Sequence, residues 1–193
     1  PAISPITVPW KVLMNPDVLI VGGSYAGIAA GLILARARRP VTVIDAGSPR
    51  NRFASHSHGV LGLDGISGAE LLKTARQQLL DYPTVRWVHA EAVHATASAE
   101  GVEVRTADGQ VLAARKLLLA SGIADQLPEL PGLAARWGST VLHCPYCHGY
   151  EVGGGAIGLL GGHPMSAGKA PLFADWGNVT FFSQGLPITD EER

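Results

Sequence analysis

The chain has 193 residues, 47% of them hydrophobic and 16% charged, a composition typical of a globular protein with one good core or two small ones. Its formal net charge is −1 and no apolar run is as long as a membrane span, so the sequence predicts neither a nucleic-acid partner nor a membrane partner. Two cysteines without a disulfide framework fit a reducing compartment, and we expect a cytoplasmic protein.

Residues 1–13 show no hydrophobic period and carry three prolines. They lack the basic segment followed by an apolar segment that marks a signal peptide. We expect an extension or a disordered arm here. A first domain is expected over residues 14–122 and a second over residues 123–193.

The first domain begins with a strand, a glycine turn, a helix and a second strand. The apolar run 17–21 predicts a buried parallel strand, and it leads into Gly22-Gly23-Ser24-Tyr25-Ala26-Gly27. A helix is predicted from Ile28 to about Arg38, where Pro40 stops it. The second strand, 41–44, ends at Asp45.

This order of elements predicts a dinucleotide site. Glycines let the backbone approach a pyrophosphate, a helix N-terminus favours its negative charge, and Asp45 can accept hydrogen bonds from a ribose hydroxyl. Asp45 lies 23 residues after Gly22, close to the usual spacing, although Ser24 stands where the middle glycine of G-x-G-x-x-G belongs. The same order would also fit an ordinary strand–helix–strand unit without a nucleotide.

Arg50 and Arg52 follow the acid directly and could bind phosphate or carboxylate, or lie in a solvated loop. The remaining elements of the first domain follow in order. They are a helix through Leu80 after the capping-box pattern Ser67–Glu70, a strand over 85–88, a hairpin of 101–106 and 111–114 around Asp108-Gly109, and a buried strand over 117–120.

Both cysteines lie in His143-Cys144-Pro145-Tyr146-Cys147-His148, two residues apart. That spacing lets the sulfurs meet in a small ring, so that the pair can cycle between dithiol and disulfide. A zinc site would need a distant pair such as His56 and His58, and no metal is expected. The same residues also fit the C-x-x-C-H pattern of haem attachment, or a pair of inert buried thiols.

A second strand–turn–helix–strand pattern follows the cysteines. Strands are predicted over 156–160 and 179–182, with a helix from about Ala167 to Trp176 between them. His163 and Ser166 occupy two glycine positions of this turn, where side chains would crowd a pyrophosphate. This unit is therefore either a nicotinamide-nucleotide site or a mostly structural element.

Two such units with a C-x-x-C at the start of the second resemble the low-molecular-weight thioredoxin reductase family of flavoproteins. The resemblance rests on the first glycine turn, Asp45, Ala120-Ser121-Gly122 and Cys144-Pro145-Tyr146-Cys147. The His148-Gly149-Tyr150-Glu151 tail is most similar to the branch that includes gliotoxin-type dithiol oxidases. The resemblance implies an α/β fold, with a Rossmann-like FAD-binding domain carrying a β-hairpin insertion, followed by the start of a second Rossmann-like NAD(P)-type domain.

By this resemblance, FAD binds to the first domain. Cys147 faces the flavin, Cys144 forms the mixed disulfide with the substrate, and His148 is the general acid or base. The resemblance also implies that the full-length protein forms a homodimer. The residues expected to contact FAD are Gly22, Gly23, Ser24, Tyr25, Ala26, Gly27, Asp45, Ala46, Gly47, Arg50, Arg52, Ser121 and Gly122.

Three functions remain open from the sequence. One is a disulfide oxidoreductase that moves electrons between NAD(P)H, FAD, the Cys144/Cys147 pair and a small-molecule or protein disulfide. Another is a flavin dithiol oxidase that passes electrons to oxygen. Because family members return to the flavin domain after the second unit, and this chain ends soon after residue 182, a truncated, non-catalytic nucleotide-binding fragment is the third.

Overall fold

The computed structural model describes residues 16–189. They form two compact units, the first of residues 16–52 and 68–126 and the second of residues 53–67 and 127–189. The arm expected at residues 1–13 lies outside the described residues. The predicted domain limits, 14–122 and 123–193, stay predictions.

The first unit contains nine regular elements. In chain order they are β1 (Val18–Val21), α1 (Tyr25–Arg36), β2 (Val41–Asp45), α2 (Gly68–Leu80), β3 (Val85–His89), β4 (Ala92–Ala97), β5 (Val102–Thr106), β6 (Val111–Ala114) and β7 (Lys116–Leu119). β1, β2, β3 and β7 form a parallel sheet in the order β3-β2-β1-β7, and β4, β5 and β6 form an antiparallel sheet in that order. This is the Rossmann-like core that the sequence predicts.

The parallel sheet is buried on both faces, because its side chains alternate between two apolar clusters. On one face Ile20 and Val43 pack with Leu79 of α2, all three fully buried. On the other face Leu19 and Ile44 pack with Val104 of the antiparallel sheet. The carboxyl ends of β1 and β2 are therefore held between two packed layers, and the glycine turn begins there.

Two features of this unit differ from the prediction. The hairpin has a third strand, β4, whose sequence Ala92–Ala97 gives no regular apolar alternation and whose register against β5 shifts between Ala92 and His94. Helix α1 begins at Tyr25 instead of Ile28 and ends at Arg36. It stops before Arg38, which has a left-handed φ of 56°.

The second unit contains α3 (Pro145–Val152), β8 (Ala156–Leu160), α4 (Ala170–Phe173) and β9 (Asn178–Phe182), and β8 pairs with β9 in parallel. The predicted helix from Ala167 to Trp176 is wrong in extent, because a 3-10 segment over Pro164–Lys169 precedes the single turn of α4. Pro171 lacks a backbone N–H and fits only the first turn of a helix, which explains why the α-helix begins at Ala170 and not at Ala167. None of the helices within 16–189 combines the length and the apolar character needed to cross a membrane.

Truncating Leu79 should destabilise the first unit, because this side chain is fully buried and two of its methyl groups lie close to Gly31 of α1. We expect Leu79→Ala to lower the free energy of unfolding by about 2–5 kcal/mol. Chemical denaturation followed by circular dichroism measures the change. Gln78→Ala, at the neighbouring exposed position of α2, is the control, and equal midpoints for the two variants would contradict the packing described here.

Candidate functional site

The glycine turn between β1 and α1 allows three segments of the first unit to approach each other closely. Gly22 has a φ of 106°, in the region that favours glycine, and a Cβ there would overlap the backbone carbonyl of Ala120. A Cβ on Gly27 would overlap the carbonyl oxygen of Gly22. The predicted turn and the segment Ala120-Ser121-Gly122 are therefore brought together by backbone contact.

Asp45 is bonded to this turn. Its Oδ1 accepts a hydrogen bond from the Gly23 N–H at 3.0 Å. A Cβ on Gly23 would overlap both the Trp87 ring and the Asp45 side chain, so this glycine also permits a close approach. The acid at the end of β2 thus fixes the conformation of the turn, in addition to the ribose role that its position predicts.

A cleft of about 500 Å³ opens beside the turn, lined by Gly23, Ser24, Asp45, Gly47 and residues of α2 and β3. Trp87 forms one wall, and its indole N–H is buried without a hydrogen-bond partner. The Arg76 guanidinium lies 4.3 Å from the centre of the Trp87 ring, a cation–π contact. The cleft therefore combines an acid, an unpaired donor and a cation.

The predicted arginines are engaged with protein groups. Arg50 Nε and Nη2 donate to the two carboxylate oxygens of Asp125 at 2.8 and 2.5 Å, and this pairing raises the pKa of Arg50 above its ordinary value. Arg52 Nη1 donates to the carbonyl of Pro49 at 3.0 Å. The Arg50–Asp125 pair ties the loop after β2 to the segment after the Ser121-Gly122 turn. Whether either arginine also contacts a phosphate stays a prediction.

Of the other predicted residues around the turn, Ser24 lines the cleft, whereas Tyr25, Ala26 and Ala46 are exposed outside its lining. The Tyr25 hydroxyl accepts a hydrogen bond from Asn51 Nδ2 at 2.9 Å. Ala26 and Ala46 are exposed, and Ser24 precedes the first turn of α1 in an extended conformation. The first N–H groups of a helix have no partner within it, so this end of α1 can receive an anion.

The cysteine pair lies at the start of α3 in the second unit. Cys144 is the N-cap residue, Pro145 occupies the first turn, and Cys144 and Cys147 form a disulfide with their Cα atoms 5.4 Å apart. Cys147 is exposed, whereas Cys144 and His148 are half-buried. A helix N-terminus stabilises a thiolate, so this position suits a redox-active pair.

Aromatic side chains pack around the cysteine helix. A Cβ on Gly149 would overlap the Trp176 indole, and the Tyr146 and Trp176 rings meet edge to face with 5.0 Å between their centres. His143, just before the pair, stacks on Trp137 at 5.7 Å. These contacts fix the orientation of α3 within its unit.

The second glycine turn is filled by its own side chains. Ser166 Oγ accepts hydrogen bonds from the N–H groups of Gly162 and His163 at 3.3 and 3.1 Å. His163 Nδ1 accepts a hydrogen bond from the Met165 N–H at 3.2 Å. The backbone donors that would bind a pyrophosphate in such a turn are therefore already paired.

Residues 57–66 form a closed loop in the second unit. Ser57 and Ile66 pair through a backbone bridge, and the Gly59 N–H donates to Asp64 Oδ1 at 2.7 Å. That hydrogen bond is the main reason why the pKa of Asp64 lies below its ordinary value. Among residues 16–189, no group of three or more His, Cys, Asp or Glu side chains is arranged to hold a metal ion.

The structure adds site residues that the sequence does not predict. They are Asn51, Trp87, Arg76 and Asp125, whose partners are distant in sequence. Of these four residues, only Asp125 could have been found from the sequence, because a polar residue soon after the Ser121-Gly122 turn can reach a loop at the same sheet edge.

Comparison with known proteins decides the family. The family described as pyridine nucleotide-disulphide oxidoreductase matches residues 16–162. The chain belongs to this family. Its members are FAD-dependent oxidoreductases, and the resemblance to thioredoxin reductases is confirmed at this level.

Individual relatives agree with this assignment. The chain is 38% identical over 152 residues to thioredoxin reductase tcpT of Claviceps purpurea, covering 77% of this chain and 47% of the relative. It is 39% identical over 158 residues to thioredoxin reductase aclD of Aspergillus oryzae, covering 79% and 50%. A crystal structure of an oxidoreductase from Agrobacterium tumefaciens superposes with a TM-score of 0.88 at 47% identity, covering 93% of this chain and 61% of that one. The chain thus spans about half the length of the curated relatives it matches.

The Asp64–Gly59 bond gives a pH prediction. The folded pKa of Asp64 is depressed, so the bond is present above the ordinary aspartate value of about 3.9 and is lost as the pH falls through the lower folded value. In an NMR titration we expect the Gly59 amide shift to change with a midpoint below about 3.9. Asp64→Asn should abolish this change, with the Gly62 amide as the control. A midpoint at or above the ordinary value would contradict the bond.

Proposed function

We propose that this chain carries the FAD site and the redox-active cysteines of a disulfide oxidoreductase similar to thioredoxin reductases. The observation that carries the proposal is the bond between Cys144 and Cys147 across the first turn of α3. A pair of this kind at a helix N-terminus is suited to reversible dithiol–disulfide exchange. The proposed substrate is a disulfide or dithiol, carried by a small molecule or by a protein.

The first unit has groups that fit the adenylate half of FAD. Three glycines form a cradle that a Cβ would fill, the N-terminus of α1 can receive the pyrophosphate, and Asp45 can accept from a ribose hydroxyl while holding Gly23. The buried, unpaired Trp87 N–H is a further donor beside the cleft. Bound FAD would exchange an electron pair with the cysteine pair, and this is the chemistry that it supplies.

The protein side chains perform the exchange with substrate. In the reducing direction the Cys144 thiolate attacks a substrate disulfide, forming a mixed disulfide and releasing one substrate thiolate. The Cys147 thiolate then attacks Cys144, which closes the Cys144–Cys147 bond and releases the second substrate thiolate. His148, half-buried one residue after Cys147, protonates the leaving thiolates in this proposal.

A second candidate, a dithiol oxidase, is favoured by the filled turn after β8. Ser166 and His163 already accept from the backbone donors that a nicotinamide-nucleotide pyrophosphate would need. Electrons would then enter from a dithiol substrate, by the reverse of the exchange described above, and leave to oxygen. NAD(P)H as electron donor belongs to the first candidate alone.

Removing the Asp45 carboxylate should weaken FAD retention. Asp45→Ala loses the acceptor of the Gly23 N–H and of the proposed ribose contact, so we expect the dissociation constant for FAD to rise about tenfold or more. Equilibrium dialysis followed by flavin absorbance measures it. Asp45→Asn keeps one oxygen acceptor and should lose less, and Glu103→Ala, at an exposed position of β5, is the control. Equal affinities for Asp45→Ala and the wild type would exclude the assigned role.

Anaerobic reduction of the bound flavin tests the function and separates the candidates. The chain is mixed with FAD, excess FAD is removed, and NADPH or dithiothreitol is added while the flavin band is followed. Bleaching by NADPH supports the reductase, and bleaching by the dithiol alone supports the oxidase. Cys147→Ser should remove dithiol bleaching while leaving FAD bound. If the wild-type chain retains no flavin, the proposal fails.

Location and assembly rest on composition and resemblance. We place the protein in the cytoplasm because its two cysteines fit a reducing compartment. A homodimer follows from the resemblance to thioredoxin reductases alone.

A further inference from the structure

The closed loop of residues 57–66 supplies a histidine that lies between two carboxylates. His58 Nδ1 is 3.5 Å from Asp64 Oδ1, and His58 Nε2 is 3.5 Å from Glu151 Oε1. The His58 side chain is 33% exposed, against 70% for Asp64 and 51% for Glu151. When His58 carries a proton, both ring nitrogens donate and each faces a negative charge.

The position of the first carboxylate is fixed within the loop. Asp64 accepts the Gly59 N–H at 2.7 Å, and the Ser57 carbonyl accepts the Gly65 N–H at 2.9 Å. The Gly59 hydrogen bond holds the pKa of Asp64 below its ordinary value, so this carboxylate is charged near neutral pH. Asp64 therefore orients the His58 ring from one side, which leaves the other ring nitrogen directed at Glu151.

The second carboxylate belongs to the cysteine helix. Glu151 and Cys147 are both in α3, four residues apart, a spacing that places two side chains on one helix face with their Cβ atoms about 5–6 Å apart. A carboxylate on that face disfavours a thiolate on Cys147 by like-charge repulsion. An adjacent cation that pairs with the carboxylate reduces the repulsion.

We propose that His58 is a positioning residue for the redox pair, because it binds and neutralises the Glu151 carboxylate one turn from Cys147. This inference rests on the proposed redox role of Cys144 and Cys147 and identifies a residue that controls it. His58 acts through Glu151 and does not itself contact the reacting sulfurs in this proposal.

The consequence concerns the equilibrium between disulfide and dithiol. Reduction breaks the S–S bond and adds two electrons and two protons, and a dithiol reductant supplies both and becomes a cyclic disulfide. One proton is lost again where Cys147 ionises. When protonated His58 pairs with the Glu151 carboxylate, the negative charge near Cys147 is reduced and the Cys147 thiolate is stabilised. This favours the reduced form and makes the cysteine pair easier to reduce.

The test is the equilibrium of the full chain with dithiothreitol and its cyclic disulfide, at about pH 7, within the range in which histidine titrates and a thiol at a helix N-terminus can ionise. The reduced fraction is read by thiol alkylation and mass spectrometry. We expect His58→Gln to lower the equilibrium constant for reduction about twofold to fivefold, the size of effect typical of a partly exposed ion pair. His58→Lys, which keeps a positive charge, should restore most of it.

A double-mutant cycle shows whether His58 acts through Glu151. In a Glu151→Gln background, His58→Gln should have no further effect. His56→Gln is the matched control and should match the wild type, since His56 lies just before the loop and its Nδ1 bonds to Ser55 Oγ at 2.9 Å. Circular dichroism confirms that each variant is folded, and Glu151 is exposed enough for its substitution to leave the core intact.

The possible results separate this inference from the function on which it rests. An unchanged equilibrium in His58→Gln, an equal shift in the Glu151→Gln background, or no rescue by His58→Lys would overturn the positioning role alone. A wild-type pair that does not cycle between disulfide and dithiol would overturn the proposed function and this role together.

Discussion

Close backbone approach at the end of β1 is the constraint on which the first unit depends. At Gly22, Gly23 and Gly27 a single added carbon would overlap a carbonyl, an indole or an aspartate side chain. These contacts bring the end of β1, the end of β2 and the segment after β7 to one place, with the N-terminus of α1 beside them. The apolar clusters on both faces of the parallel sheet hold that arrangement, since the strands cannot separate without exposing buried side chains.

The two glycine turns of the chain have similar sequences but differ in which side chains pair with their backbone N–H groups. In the first, the Gly23 N–H donates to Asp45, which comes from a neighbouring strand, and the Ser24 side chain makes no capping hydrogen bond. In the second, Ser166 and His163 accept from the turn's own donors. A hydrogen bond formed within the chain must be broken before a phosphate can replace it, so the second turn offers less binding energy to a nucleotide.

Helix α3 carries the two cysteines at its N-terminus and packs against an aromatic side chain further along. Its N-terminus places Cys144 and Cys147 where a negative charge is stabilised, and Gly149 lets the Trp176 indole lie directly against the helix. Further along the same helix, Glu151 opposes that effect unless it is paired. The helix therefore contains both the group that favours a thiolate and the group that disfavours it.

The sequence by itself determined the elements whose signals are local. The apolar run before Gly22, the glycine turn, the strand ending at Asp45 and the C-x-x-C each depend on neighbours in the chain, and the structure has them where the pattern predicts. Local patterns failed at β4, whose sequence lacks apolar alternation. They also failed at the helix predicted from about Ala167, because Pro171 allows the α-helix to begin only at Ala170.

Only the tertiary structure decided which side chains meet. Arg50 pairs with Asp125, 75 residues away, and His58 reaches Glu151 although the two lie far apart in the sequence. No local period encodes such a contact, because it depends on how buried apolar surfaces place distant loops side by side. The sequence could therefore locate the cysteine pair and the first glycine turn, whereas the charged side chains that pair near them became visible only once the chain was folded.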